Sequence, residues 1–459
     1  MNRFFELGLS DLRCFKGRQA IRLKPLTFLV GENSTGKTSI LGSLQTVSDF
    51  LAGWSPTSFP VQPTFNAPPY QMGTFRDIVR RANPKKDSFT IDAKFLEGDD
   101  ELTCSITFME EEFGSEAGIK QVVWALPEIS IGVVRQEKEF PSNHKEFQRL
   151  ELAHQTVGLF SKEKKLLLIA KTENEVWPYP YHLSFLHNFI NTEEIKNAAT
   201  KKKLRPFRNI YETRGLRYSF LLSQPTTSSI APIRSKPERT YNPIGESPAF
   251  EGGEMPLLFR NLKRQNPSDW KKLKAKLVEY GEDAGLFSDI SVQTLGSNSS
   301  SNPFQLKIKT RGARSNYIDV GYGVSQIMPI LVRILQDTAT STHLLQQPEV
   351  HLHPRAQASF ISFIISLLEE NSERVSDDDH IETNQFILET HSDYMIDRVR
   401  IEIRKEKIDP DDVGLVYLEP KGNYVEVHNI SFDKNGDFIG MPESYKEFFL
   451  SETKNLLGF

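Results

Sequence analysis

Gly31-Glu32-Asn33-Ser34-Thr35-Gly36-Lys37-Thr38-Ser39 decides how the rest of the chain is read, because it fits the pattern GxxxxGK followed by Thr. A glycine-rich turn of this spacing points backbone N–H groups at phosphates, the lysine reaches the terminal phosphates, and the threonine hydroxyl ligates Mg²⁺. The flanks agree. Residues 26–30, Leu-Thr-Phe-Leu-Val, predict a short buried strand, and residues 39–51 carry apolar side chains at helical spacing. The loop therefore opens a helix whose N-terminus favours anions. Nucleotide binding through Gly31, Asn33, Ser34, Thr35, Gly36, Lys37, Thr38 and Ser39 is the expectation, with ATP and Mg²⁺ as the ligands.

Length and composition set the outer limits. A chain of 459 residues reads as one large α/β core with an insertion, or as two domains. With 38% hydrophobic residues it can bury a sizeable core, and a formal net charge of −4 gives no general pull toward nucleic acid, so any such contact is local. Cys14 and Cys104 are too few for a disulfide framework, which fits a reducing cytoplasm. The longest apolar run, residues 360–368, falls well short of the roughly 20 residues that span a bilayer. The start, with Phe4, Phe5 and Glu6, lacks the regions of a signal peptide. A soluble cytoplasmic protein with no membrane partner is expected.

Upstream of the loop, residues 4–9 and 19–23 alternate as a hairpin around Leu12-Arg13-Cys14-Phe15-Lys16. With the phosphate loop, this wording resembles the RecF, SMC and OLD branch of ABC-type ATPases, whose first hairpin often reads Phe-Arg-x-Phe. The resemblance makes Arg13 and Phe15 candidate nucleotide contacts; a solvated arginine and a core phenylalanine is the reading from composition alone. After a proline-rich loop at 54–70, Gln71-Met72-Gly73-Thr74-Phe75 looks like the segment carrying the family's glutamine loop. There Gln71 would orient Mg²⁺ and the attacking water.

Residues 88–95 and 101–109 alternate as strands, the antiparallel sheet that such heads lay over the nucleotide. Residues 111–230 read as an inserted, mainly helical region without sustained heptads, so no long coiled-coil arm is expected. Within it Lys196, Lys201, Lys202, Lys203, Arg205 and Arg208 crowd around Phe207. Such a run is either a DNA or RNA grip or a solvated face.

The C-terminal part of the head, 231–459, holds the remaining motifs. Arg234 and Arg239 sit on a proline-stiffened segment suited to anions or to a structural ion pair. Asp319-Val320-Gly321-Tyr322-Gly323-Val324-Ser325-Gln326 then opens an apolar helix. In the family this signature contacts the nucleotide of a partner subunit across a head-to-tail dimer, so Gly323 and Ser325 are the expected contacts to a second copy. In Gln346-Gln347-Pro348-Glu349-Val350-His351-Leu352-His353-Pro354 the Walker B wording is kept except that two glutamines stand where carboxylates are usual. Gln346, Gln347 and Glu349 are the catalytic candidates, with Thr38, Gln71 and Gln346 toward the metal, and His351 and His353 read as interface residues. An amide hydrogen-bonds water but cannot take its proton, so weak hydrolysis is expected. His391, after a strand at 383–388, resembles the switch histidine.

The resemblance thus covers residues 1–110 and 230–459, with five motifs in family order. It implies an α/β ABC-type head, with a mixed sheet, helices and an antiparallel sheet, that dimerises on ATP. It further implies control of a separate effector, a nuclease or toxin, in bacterial anti-phage defence, with no Toprim nuclease of its own. A DNA-binding clamp of the repair type is the alternative.

Overall fold

The computed structural model describes residues 3–52, 65–81, 87–97, 100–110, 116–125, 129–135, 155–161, 166–172, 226–232, 234–243, 251–296, 301–336, 341–374 and 384–445. The chain divides into two compact units, residues 1–21, 42–65 and 72–226 in the first, 22–41, 66–71 and 227–459 in the second.

The first unit is built on an eight-stranded sheet. Its strands are β1 (Phe4–Ser10), β2 (Arg18–Arg22), β4 (Ser88–Glu97), β5 (Asp100–Glu110), β6 (Ala117–Ala125), β7 (Ile129–Arg135), β8 (Gln155–Ser161) and β9 (Leu166–Thr172), in the order β2-β1-β4-β5-β6-β7-β8-β9. Pairing from β1 through β9 is antiparallel. Period-two alternation dictates it: Phe89, Ile91, Ala93 and Phe95 are buried, and in register they meet Phe108, Ile106, Cys104 and Leu102. The Phe89 and Phe108 rings stack at 5.0 Å, a pair worth about 0.5–1.5 kcal/mol beyond its buried area. On the other face Thr90 bonds Thr107 at 3.0 Å, and Arg18 bridges Glu6 at 2.7 Å and Asp92 at 2.9 Å. A one-residue slip would turn the phenylalanines outward, so the register is fixed by burial.

Of residues 111–230 the described ones are strand, and β6 to β9 extend this sheet. Runs such as Gln121-Val122-Val123 and Thr156-Val157-Gly158-Leu159 carry the β-branched residues that strands favour, and they pair in register. The aromatic stretch at 181–190 and the basic cluster at 196–208 lie outside the described residues.

The second unit has a seven-stranded mixed sheet of β3 (Leu26–Gly31), β10 (Thr226–Ile230), β14 (Ser341–Gln346), β15 (Gln385–Glu389), β16 (Val413–Lys421), β17 (Tyr424–Phe432) and β18 (Phe438–Ile439), in the order β10-β14-β15-β3-β16-β17-β18. The four strands β14, β15, β3 and β16 run parallel, and β17 and β18 close the sheet antiparallel. β3 and β15 are almost wholly buried, which suits a parallel core covered on both faces. A three-stranded antiparallel sheet joins β11 (Asp289–Thr294), β12 (Phe304–Lys309) and β13 (Arg314–Asn316). Helices Met255–Gln265, Pro267–Asp283, Tyr322–Gln336, Pro354–Arg374 and Asp393–Arg404 complete the unit, and their apolar residues share one core with the sheet. Among the described residues no helix is long and apolar enough to cross a membrane.

Candidate functional site

Four parallel strands deliver their C-terminal ends to one edge of the sheet, the edge where open α/β sheets bind ligands. β3 ends at Gly31, whose φ of +148° and absent side chain are both required: a Cβ there would stand 2.7 Å from the Leu418 carbonyl oxygen. Ser34 and Gly36 also take positive φ, +64° and +96°, which curls the loop before the helix Lys37–Ala52. The Thr35 hydroxyl ties the turn by donating to the Glu32 carbonyl at 2.8 Å. Lys37 Nζ donates to the carbonyls of Gly31 at 2.9 Å and Glu32 at 2.7 Å, so its ammonium is buried inside the loop. Burial lowers its pKa, opposed by the charges of Glu389 and Glu349.

Beside the loop stand two carboxylates. Glu389, the last residue of β15, is in register with Gln346 of β14, and its Oε2 accepts from the Thr38 hydroxyl at 3.0 Å. Burial raises its pKa, while Thr38, Lys37 and a hydrogen bond from Gln346 oppose the rise. Glu349 is also buried; its Oε1 accepts from the His391 backbone N–H at 2.8 Å and its Oε2 has no hydrogen-bond partner. Burial is again the main cause of its raised pKa. Gln347 adopts φ +42° and donates its N–H to the Glu389 carbonyl at 2.9 Å, which turns the chain sharply after β14. His391 is exposed beside these groups, and partial desolvation, then Lys37, lowers its pKa.

Arg234 reaches the end of β14. The residue is 3% exposed, Nη2 donates to the Gln346 carbonyl at 3.2 Å, and Nε and Nη1 have no partner. Burial lowers its pKa to about 10, with Glu349 and Tyr322 acting the other way. Arg239 instead forms an exposed pair with Asp319 at 2.6 Å, the structural role open to it from sequence.

The signature turn lies on the Walker B turn of the same unit. A Cβ on Gly323 would stand 2.8 Å from the His351 carbonyl oxygen, and the Tyr322 and His351 rings meet edge to face at 4.5 Å. Ser325 is 2% exposed and its hydroxyl donates to the Tyr322 carbonyl at 2.8 Å, so the exposed members of the motif are Asp319, Gly321 and Tyr322. His351 and His353 are both exposed, and His353 Nδ1 accepts from the Arg355 N–H at 3.2 Å.

Gln71 is exposed on its loop. Arg13 and Phe15 belong to the first unit: Arg13, at φ +46°, donates to the Met72 carbonyl at 2.8 Å, and the Phe15 ring is wholly buried. Sequence reading passed over Glu389, although a carboxylate ending a buried strand just before His391 is a signal in its own right. One further group among the described residues, Glu419, Glu426 and His428, brings its ligand atoms within 4.8 Å of one another. Lys421 Nζ already lies 2.7 Å from Glu419 there.

Residues 259–396 match a protein-family model described as an AAA ATPase domain, a span that holds the signature, Walker B and His391. A comparison with curated proteins gives no match. Among solved structures, an SMC head bound to the C-winged helix domain of ScpA is similar at 11% identity, covering 94% of this chain and 98% of that one, with a TM-score of 0.42. An SMC head domain with an extended coiled coil, bound to the C-terminal domain of ScpA derived from Pyrococcus furiosus, is 12% identical, with 99% and 100% covered and a TM-score of 0.42. The SMC head domain from Thermotoga maritima is 11% identical, with 93% and 98% covered and a TM-score of 0.34.

Proposed function

We propose that this chain is an ATPase of slow turnover that binds ATP on the loop Gly31 to Ser39 and uses it to join two copies head to tail. The observation that carries the reading is the loop itself, a positive-φ turn of backbone N–H groups with Lys37 and Thr38 beside a buried carboxylate. To meet phosphates, Lys37 exchanges the carbonyls of Gly31 and Glu32 for phosphate oxygens, a charge-assisted contact that is stronger than the one it leaves. The hard oxygen donors at hand, from Thr38 and the strand-end side chains, suit Mg²⁺. When bound, the ion would neutralise phosphate charge.

Hydrolysis needs a group to take the water's proton, and Gln346 and Gln347 cannot do so. Turnover is therefore slow while nucleotide is retained, which favours a nucleotide-locked assembly. The exposed Tyr322 beside Gly321 and Gly323 is the surface through which a second copy completes the site. We assign the assembly to control of a separate effector, a nuclease or toxin, in anti-phage defence of a bacterial cell, by analogy with the stand-alone relatives that the motifs resemble. Sedimentation of the full chain with and without ATP tests the assembly: ATP-dependent doubling of mass that Lys37→Ala abolishes is expected. A mass indifferent to ATP in the parent protein rejects it, and DNA-driven assembly in its place favours the repair-type clamp.

A further inference from the structure

Strand order, rather than sequence order, decides which carboxylate stands next to the phosphate loop. β15 lies between β14 and β3, and β3 runs directly into the loop. Glu389 at its end therefore has Gln346 in register on one side and Leu29, two residues before Gly31, on the other. Thr38, the residue whose hydroxyl faces the cation in loops of this kind, donates that hydroxyl to Glu389 Oε2 at 3.0 Å. Lys37 Nζ is bonded to the Gly31 and Glu32 carbonyls and leaves this carboxylate to other partners. Gln346 stands beside it in register across the parallel pair.

We propose that Glu389 holds the divalent cation of the bound nucleotide together with Thr38, and that Gln346, its neighbour in register, is not the cation's ligand. The inference rests on nucleotide binding at the loop and assigns the charge that the Walker B strand of this chain does not carry. An anionic oxygen and a hydroxyl are the donors a hard cation takes, whereas a neutral amide at 346 contributes far less to holding a double charge. Glu389 is 6% exposed. An ionised carboxylate buried to that degree is stable only with compensating charge; Lys37 supplies part of it, and the cation adds to it. Gln346 has a defined part in this arrangement: it fills the neighbouring register position without adding a second negative charge.

The test is titration of the full-length protein with a fluorescent ATP analogue, with and without Mg²⁺. The parent is expected to bind more tightly with Mg²⁺. Glu389→Gln should lose the gain that Mg²⁺ gives the parent, by about 10- to 100-fold, the usual range for losing a group that supports a metal. Gln346→Ala should keep most of that gain. If Glu389→Gln keeps the full gain, the proposal is wrong; if the parent fails to bind the analogue in either condition, the nucleotide reading itself fails instead. Should Glu389→Gln not fold, Mn²⁺ in the parent locates the ion directly by anomalous scattering. An ion at Thr38 and Glu389 supports the assignment, and one held by Gln346 or Glu349 away from Glu389 overturns it.

Discussion

Two glycine-bearing turns in the second unit open helices and carry a hydroxyl residue near the helix start, yet they make opposite surfaces. The turn Gly31 to Ser39 keeps its cation and hydroxyl inside, bonded to loop carbonyls and to Glu389. The turn at Gly321 to Gln326 buries Ser325 against its own first helical turn and leaves a tyrosine outside. The first is a charged cradle and the second an exposed aromatic face. A glycine-rich turn with Ser or Thr at a helix start is therefore not one signal; what separates the two is the charge that the neighbouring strands bring. β15 brings Glu389 to the first, whereas the second rests on the backbone carbonyl and the ring of His351.

The largest expected effect tests the missing charge beside the cradle. Gln346→Glu should raise steady-state phosphate release by about 10² to 10⁴, the range for gaining a general base. The new carboxylate faces Glu389, and like charges held together raise one pKa of the pair. A base works deprotonated, so activity of this variant should rise with pH through that raised value. Equal release by both proteins would place the base at Glu349, whose Oε2 is unpartnered.

Next in size is the cradle's own cation. Lys37→Ala removes a charge-assisted contact of about 1.5–3 kcal/mol, or roughly 10- to 150-fold in Kd for ATP by the tenfold-per-1.4 kcal/mol rule. Isothermal titration reads it directly. An unchanged Kd would mean that the loop amides suffice and that the burial of Lys37 is structural.

How far these surfaces were legible in the sequence follows from the same contrast. The phosphate loop was legible because its residues are contiguous and each is demanded by local geometry, as Gly31 is by the Leu418 carbonyl. β4 and β5 were legible because Phe89 to Phe95 alternate. Glu389 was not, because its place depends on β15 inserting between β14 and β3, a crossover that no local pattern encodes. Ser325 was assigned to a partner's nucleotide on its position in the motif alone; whether a helix-start hydroxyl turns outward or back onto its own turn is decided by packing around it. The strands at 117–172 were hidden for a related reason, since they are satisfied by neighbours in the sheet rather than by contacts within their own windows.

A third pair of variants divides the second turn. Tyr322→Ala should weaken ATP-dependent assembly by more than about 1 kcal/mol, as truncating a central interface aromatic does, with thermal stability of the single chain unchanged. Ser325→Ala should do the reverse, costing about 0.5–1.5 kcal/mol of stability for the lost hydrogen bond without changing the assembly constant. Sedimentation and thermal melts of the two variants suffice. If Ser325→Ala weakens assembly and leaves stability alone, its hydroxyl turns outward when two copies meet.

The smallest expected effect is the pH dependence that the cradle imposes on the fold. Burial raises the folded-state pKa of Glu389 above the ordinary carboxylate value, despite the opposing contacts of Thr38, Lys37 and Gln346. Over the window between those two values the folded chain holds a proton that the unfolded chain has released. The group's contribution to stability is therefore fully present below the ordinary carboxylate pKa and is lost as pH rises through the raised one. Glu389→Gln removes this titration while keeping the shape, so its melting temperature should fall less than the parent's across that window. The difference amounts to about 2–4 °C for each 1 kcal/mol involved in a unit of this size. His391 titrates with the opposite sign, since its pKa is lowered in the fold and its contribution is lost only as pH falls. Comparing parent with Glu389→Gln isolates the carboxyl's part, because the His391 contribution is common to both proteins. Parallel curves for parent and Glu389→Gln would show that this carboxyl has the same pKa folded and unfolded, and that the cradle is open enough to water to hold its charge without a cation.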